Sequence, residues 1–180
     1  SMTFDAFTKG LLDRFRSAMP EPFNAPGAYQ IVTPFSRDYD DFLERHGYRG
    51  ISAQRLEKRV PLTDLPIDQD NGSELHRALA DYWHEQFFGG EEISLSFPMI
   101  NRLVKLLLQE NSYIRRALQA TYPIVFLDEY QDTTYAQYDM LLTAFSGSDA
   151  VFTAVGDDKQ RIMGWAGAMN DAFDQFENDF

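Results

Sequence analysis

The chain has 180 residues, of which 44% are hydrophobic, 14% aromatic and 24% charged, which is typical of a folded globular protein and not of a disordered segment. Its formal net charge of −12 argues against a surface that binds duplex DNA through clustered lysine and arginine, and the lack of cysteine excludes disulfides and thiolate metal sites. No apolar run reaches the roughly 20 residues that cross a bilayer, and the start lacks a signal-peptide pattern, so we expect a cytoplasmic protein with no membrane partner.

The first half of the chain is predicted to be mainly helical. Its elements in chain order are an amphipathic helix (4–15), a short strand (28–35), a short helix (39–46) and a longer helix (75–87). Both longer helices are indicated by apolar residues at helical spacing, and a weak cap at Ser73 precedes the second one. The polar run 52–73 carries few periodic signals, so no element is predicted there.

The second half alternates helices and strands. Its predicted elements are helices (100–107 and 113–120), a strand (124–127), a helix (135–145), a strand (151–155) and a helix (169–176). Four apolar residues in a row, Ile124 to Leu127, are typical of a buried parallel strand. Strand, helix and strand in succession predict an α/β fold.

Two acids, Asp128 and Glu129, follow the first of these strands directly. Open α/β sheets bind ligands beyond the carboxyl ends of their strands. There, one carboxylate can hold Mg²⁺ against the phosphates of a nucleotide, and the next can orient or deprotonate the attacking water. By itself the dipeptide also fits a polar loop or a helix start, where the helix dipole favours acids.

A second polar segment, residues 153–168, follows the other strand. It contains Gly156, Asp157, Gln160 and Trp165. Taken alone, the glycine and the acid are compatible with a turn and the tryptophan with a core position. A tryptophan can also stack on the bases of single-stranded DNA whatever their sequence, which contributes about 1–3 kcal/mol per base.

The six residues from Asp128 to Thr133, after an apolar strand, are similar to the Walker B motif of UvrD/Rep/PcrA-like superfamily 1 DNA helicases, and residues 153–168 resemble the third motif of that family. The resemblance implies that Asp128 holds the metal, that Glu129 is the catalytic base and that Gln160 senses the terminal phosphate. It implies a nucleotide site and a DNA site made of two sets of residues: Asp128, Glu129, Gln131 and Gln160 for nucleotide, and Thr3, Phe4, Met163 and Trp165 for DNA.

The match is imperfect at several positions. Arg161, Met163 and Ala166 stand where the family usually has serine, tyrosine and arginine, and Asp5 replaces the histidine of the family's threonine–phenylalanine motif at Thr3-Phe4. The missing tyrosine removes one stacking surface, although methionine can still pack on a base. Because the arginine is absent, the way in which the nucleotide site is coupled to the DNA site stays open. Arg161 is a candidate replacement for the charge of the arginine.

The resemblance also implies a domain plan. The fold class expected from it is α/β, a partial RecA-like P-loop NTPase domain with a mainly helical inserted subdomain. Residues 3–19 and 96–180 would belong to the RecA-like core, and residues 20–95 would form the insertion. In the complete domain the phosphate-loop strand would be central to the sheet, so without it we expect residues 124–127 to have an exposed edge that invites pairing with another chain.

No G-x-x-x-x-G-K-[ST] phosphate loop occurs in the sequence. The family carries that loop upstream and its second RecA-like domain downstream, so we expect the chain to be an internal piece that is inactive alone. For the whole protein the resemblance implies an ATP-dependent DNA helicase that uses ATP and Mg²⁺ on single-stranded DNA or single/double-strand junctions. Two alternatives stay open: a helicase-like subunit of a nuclease or defence complex, with a nuclease or repair partner, and a degenerate module that binds DNA or protein without catalysis.

Overall fold

The computed structural model describes residues 2–24, 28–67, 72–90, 92–161 and 168–180. The chain divides into two compact units, residues 1–106 and residues 107–180. Among the helices of the described ranges, none combines the length and the apolar character needed to cross a bilayer.

The first unit is mostly helical. Its elements are α1 (Phe4–Phe15), β1 (Tyr29–Ile31), α2 (Ser36–Arg45), α3 (Ala53–Arg59), α4 (Glu74–Phe88), β2 (Ile93–Leu95) and the start of α5 (Phe97–Glu110). Strands β1 and β2 pair in parallel, with Gln30 opposite Ser94 and a side-chain hydrogen bond of 3.0 Å between them. The helices over 4–15 and 75–87 are confirmed, and Ser73 caps the latter by accepting from the His76 amide at 3.1 Å.

Packed aromatic rings form much of the core of this unit. Tyr82 on α4 stacks on Tyr39 at a ring separation of 5.2 Å and meets Phe42 edge-on at the same separation. Helix α3 presses Leu56 into the core with no exposed surface. No element was predicted in the run 52–73, because a helix of seven residues with few core positions gives too weak a periodic signal.

The second unit alternates helix and strand as predicted. After the end of α5 its elements are α6 (Ser112–Thr121), β3 (Ile124–Leu127), α7 (Tyr135–Phe145), β4 (Val151–Ala154) and α8 (Ala172–Asp179). Strands β3 and β4 run parallel, in a register that pairs Ile124 with Val151 and Leu127 with Ala154. Thr134 starts α7 with a capping box, in which its backbone N–H donates to the Gln137 side chain at 2.9 Å. The fold is thus mixed α/β, with two short parallel sheets and many helices.

The prediction that β3 is a buried parallel strand was wrong, and β4 beside it is also only half buried. Ile124, Phe126 and Val151 are 73%, 63% and 60% exposed on one face of the sheet. On the other face, Leu127 and Ala154 pack against a core cluster around Tyr130. Within the described residues this sheet has two strands and is covered on one face, so its apolar run is only half buried.

Candidate active site at the carboxyl ends of β3 and β4

Parallel pairing brings the ends of β3 and β4 to the same edge of the sheet. The Val155 amide donates to the Leu127 carbonyl at 2.8 Å, and the Tyr130 amide donates to the Val155 carbonyl at 3.0 Å. These two bonds extend the ladder past both strands. They hold the segment that begins at Asp128 beside the segment that begins at Gly156.

The first segment turns sharply at Glu129. This residue has φ 51° and ψ 40°, the left-handed region, and it is the one such residue other than glycine in the described ranges. Holding a non-glycine residue there costs on the order of 1–3 kcal/mol, and such conformations concentrate at functional sites. The Asp128 Oδ1 accepts a hydrogen bond from the Glu129 amide at 3.0 Å, and both carboxylates face solvent.

Gln131 lies beneath the turn and joins the two segments. Its side chain is only 2% exposed, its Nε2 donates to the Glu129 Oε2 at 2.6 Å, and its Oε1 accepts from the Asp157 backbone amide at 3.1 Å. A carboxylate can only accept and a backbone N–H can only donate, so these partners fix which end of the amide faces which segment. The resemblance assigns Gln131 to the nucleotide site, and here both ends of its amide are hydrogen-bonded within the protein.

The second segment is organised by Asp157. Its Oδ2 accepts from Gln160 Nε2 at 2.9 Å and its Oδ1 accepts from the Lys159 amide at 3.0 Å. These bonds, that from Gln160 first, hold the pKa of the Asp157 carboxyl below its usual value of 3.8. The Gln160 side chain is exposed, and this fold of the segment keeps it at the carboxyl end of β4.

An aromatic cluster supports the turn from below. Tyr130 is 1% exposed, and its ring meets those of Phe173 and Phe176 on α8 at 5.4 Å and 5.3 Å. The Met169 amide donates to the Thr133 carbonyl at 2.9 Å, which ties the residues before α8 to the same turn. Arg161, the candidate replacement for the missing arginine, donates from Nη1 to the Met169 carbonyl at 3.1 Å.

The carboxylates at this site suit Mg²⁺ better than a metal ion whose ligands all come from the protein. In the part of the chain that the structure describes, no group of three or more metal-ligating side chains occurs. Mg²⁺ usually keeps several waters and binds through one or two carboxylates together with substrate phosphates. The exposed, adjacent carboxylates of Asp128 and Glu129 fit that requirement.

Two of the remaining predicted site residues belong to the first unit, and two lie outside the described residues. Thr3 and Phe4 belong to the first unit, where Thr3 caps α1 by accepting from the Ala6 amide at 3.2 Å. Met163 and Trp165 lie outside the described residues. The structure therefore brings together Asp128, Glu129, Gln131 and Gln160. Sequence reasoning missed the hydrogen bonds that join them, although the glycine at the end of β4 was a signal of close approach between two segments.

Comparison with known proteins agrees with this architecture. Residues 29–180 match the family model described as UvrD/REP helicase N-terminal domain. ATP-dependent DNA helicase Rep of Escherichia coli is 45% identical over 74 residues, which cover 41% of this chain and 11% of that protein. A probable DNA helicase II homolog of Mycoplasma pneumoniae is 27% identical over 154 residues, 84% of this chain and 21% of that protein. The chain spans between about a tenth and a fifth of the length of these relatives. Because the family match covers most of the chain, the chain belongs to the UvrD/REP helicase family, within its N-terminal domain.

Proposed function

We propose that this chain is part of a longer ATP-dependent DNA helicase or translocase, which couples hydrolysis of Mg-ATP to movement on single-stranded DNA or at its junctions with duplex. The observation that carries the proposal is the meeting of Asp128, Glu129 and Gln160 at the carboxyl ends of two parallel strands. Both relatives are named as DNA helicases, which supports it.

Each residue has a role that its surroundings suit. Asp128, exposed directly after β3, would hold Mg²⁺. The bound ion supplies positive charge that offsets the charge on the phosphates. Glu129, whose carboxylate is held by Gln131, would orient the attacking water and take its proton. Gln160 would leave Asp157 to contact the terminal phosphate.

The DNA contacts belong to the same proposal. Trp165 and Met163 follow the Asp157 segment in sequence, so a base stacked there would be only a few residues from the nucleotide. Thr3 and Phe4 would contact the DNA backbone. Residues 3–19 and 96–180 would form part of a RecA-like core, and residues 20–95 the inserted subdomain.

The chain alone should not hydrolyse ATP. Its sequence has no phosphate loop, so the backbone cradle and lysine that hold the β and γ phosphates must come from another part of the protein. The carboxylates of Asp128 and Glu129 alone can bind a metal ion but cannot position the phosphates for attack.

Steady-state hydrolysis of Mg-ATP by the full-length protein, with and without single-stranded DNA, tests the proposal. Glu129→Gln keeps the shape of the side chain and removes the base, so it should lower the rate by about 10²- to 10⁴-fold. Glu177→Gln, an exposed position on α8, is the matched control and should hydrolyse normally. If Glu129→Gln hydrolyses ATP as fast as this control, or if the unsubstituted protein shows no hydrolysis, the proposal is wrong.

A further inference from the structure

We infer that Gln131 is a positioning residue that passes the conformation of the Asp157–Gln160 segment to the catalytic carboxylate of Glu129. The inference rests on the proposed function and deepens it, because it names the physical link between the two motifs. Glu129 and Asp157 are 28 positions apart in the chain, and in the described residues a single buried side chain bonds to both.

The hydrogen bonds form an unbroken chain. Glu129 accepts from Gln131, Gln131 accepts from the Asp157 amide, and Asp157 accepts from Gln160. The first bond, 2.6 Å long, is donated to a carboxylate and is therefore of the stronger, charge-assisted kind. A shift of the Asp157 backbone must either move the Gln131 amide or leave one buried end of it unpaired, which is unfavourable.

Gly156 makes this link possible. A Cβ at position 156 would lie 2.0 Å from Gln131 Oε1 and 3.0 Å from the Tyr130 backbone nitrogen. No real Cβ tolerates the first distance, so any larger residue at 156 would expel the Gln131 amide from its place. Glycine at the end of β4 is therefore needed for close packing against Gln131.

The burial of Gln131 also argues for this role. Its buried amide has one hydrogen atom and one lone pair beyond those in the two bonds, and its side chain is 2% exposed. A nucleotide contact would need a solvent-facing approach that Asp128, Glu129 and Gln160 have and Gln131 lacks. Gln131 acts on the reaction through Glu129.

The link predicts how DNA stimulation is transmitted. If binding of single-stranded DNA moves the segment that starts at Asp157, the movement reaches Glu129 through Gln131. Removing Gln131 should then lower kcat in the presence of DNA more than kcat without DNA. It should leave KM for ATP unchanged, because the side chain makes no contact with the nucleotide.

The test measures kcat and KM for ATP of the full-length protein with and without oligothymidylate. Gln131→Met keeps the volume of the side chain and deletes both hydrogen bonds. Gln131→Glu keeps the acceptor for the Asp157 amide and replaces the donor to Glu129 with a carboxylate that repels it, and it also serves if the methionine variant does not fold. Both should lose on the order of 10- to 100-fold in DNA-stimulated kcat, the usual effect of a misplaced catalytic group.

Two further variants separate positioning from general stability. Gln119→Met removes a hydrogen bond to the Ala144 carbonyl in the same unit and should leave kcat, KM and DNA stimulation unchanged. Gly156→Ala should lower kcat as Gln131→Met does, and the double variant should be no slower than either single one, since both break the same link.

The outcomes are distinct. Normal DNA-stimulated kcat in Gln131→Met overturns the inference while leaving the proposed function intact. A raised KM with normal kcat overturns it in favour of a nucleotide contact, and additive losses with Gly156→Ala overturn the shared link. If the unsubstituted protein hydrolyses no ATP, the proposed function fails and the role of Gln131 fails with it.

Discussion

Two tyrosines of the second unit carry the same hydroxyl in different surroundings, so replacing each with phenylalanine should change stability in opposite directions. Tyr130 is 1% exposed, and its hydroxyl has no hydrogen-bond partner among the described residues. The Tyr138 hydroxyl donates to the carboxylate of Asp179. Burial raises the pKa of both phenols, so both are neutral at physiological pH.

The magnitudes follow from these contacts. A buried hydroxyl without a partner costs about 1–3 kcal/mol, and the ring packing of Tyr130 survives in Tyr130→Phe, so that variant should gain about 1 kcal/mol in free energy of unfolding. Tyr138→Phe loses a hydrogen bond to a charged group and should lose about 1–2 kcal/mol. In a unit of this size, 1 kcal/mol corresponds to about 4–8 °C in Tm.

Thermal unfolding of the 180-residue chain, followed by far-ultraviolet circular dichroism, measures both shifts in the same transition. Tyr130→Phe should unfold above the unsubstituted chain and Tyr138→Phe below it. A Tm for Tyr130→Phe as low as that of Tyr138→Phe would show that the Tyr130 hydroxyl has a hydrogen-bond partner in the folded chain, and the prediction would be wrong.

Four other predictions concern stability and activity. Thr134→Ala removes the capping box of α7 and should lower the free energy of unfolding by about 1 kcal/mol, measured by urea titration. Arg102 is buried and donates to the Thr63 carbonyl at 2.7 Å and to Asp64, so Arg102→Met should cost about 1–3 kcal/mol in the same assay. The hydrogen bond from Lys105 holds the pKa of the Asp64 carboxyl below its usual value of 3.8. The stability that this shift contributes is present above pH 3.8 and is lost as the pH falls through the lower pKa of the folded chain. Asp64→Asn should remove that part of the acid dependence of Tm. The purified 180-residue chain should show no ATP hydrolysis above background, and turnover abolished by Glu129→Gln in this chain would contradict that prediction.

Local signals predicted the elements that carry the site. A run of four apolar residues ending in acids gave β3 with its observed bounds, and apolar spacing gave α7. Strand β2, with only three residues, was missed because so short a segment shows no period. The burial of β3 was predicted wrongly because it depends on which elements cover the sheet, and that information is not local to the strand.

The site, like the fold, could be predicted only in part from the sequence. Asp128 and Glu129 were identifiable because two adjacent acids directly follow an apolar strand, which is a local pattern. The hydrogen bond between Gln131 and the Asp157 amide joins residues 26 positions apart in the sequence. It depends on the register of β3 against β4, so no local sequence pattern predicts it. The collision that a Cβ at Gly156 would cause is likewise visible only after the strands are paired.

Strand separation on a duplex with a single-stranded tail is the decisive assay for the proposed helicase, since it requires both hydrolysis and movement on DNA. The full-length protein should separate the strands in Mg-ATP. Glu129→Gln should bind the same DNA with unchanged affinity and leave the duplex intact, because the substitution removes the base and no DNA contact. A protein that binds the tailed duplex but never separates it would not be a helicase, and a Glu129→Gln variant that separates it at the normal rate would exclude Glu129 as the catalytic base.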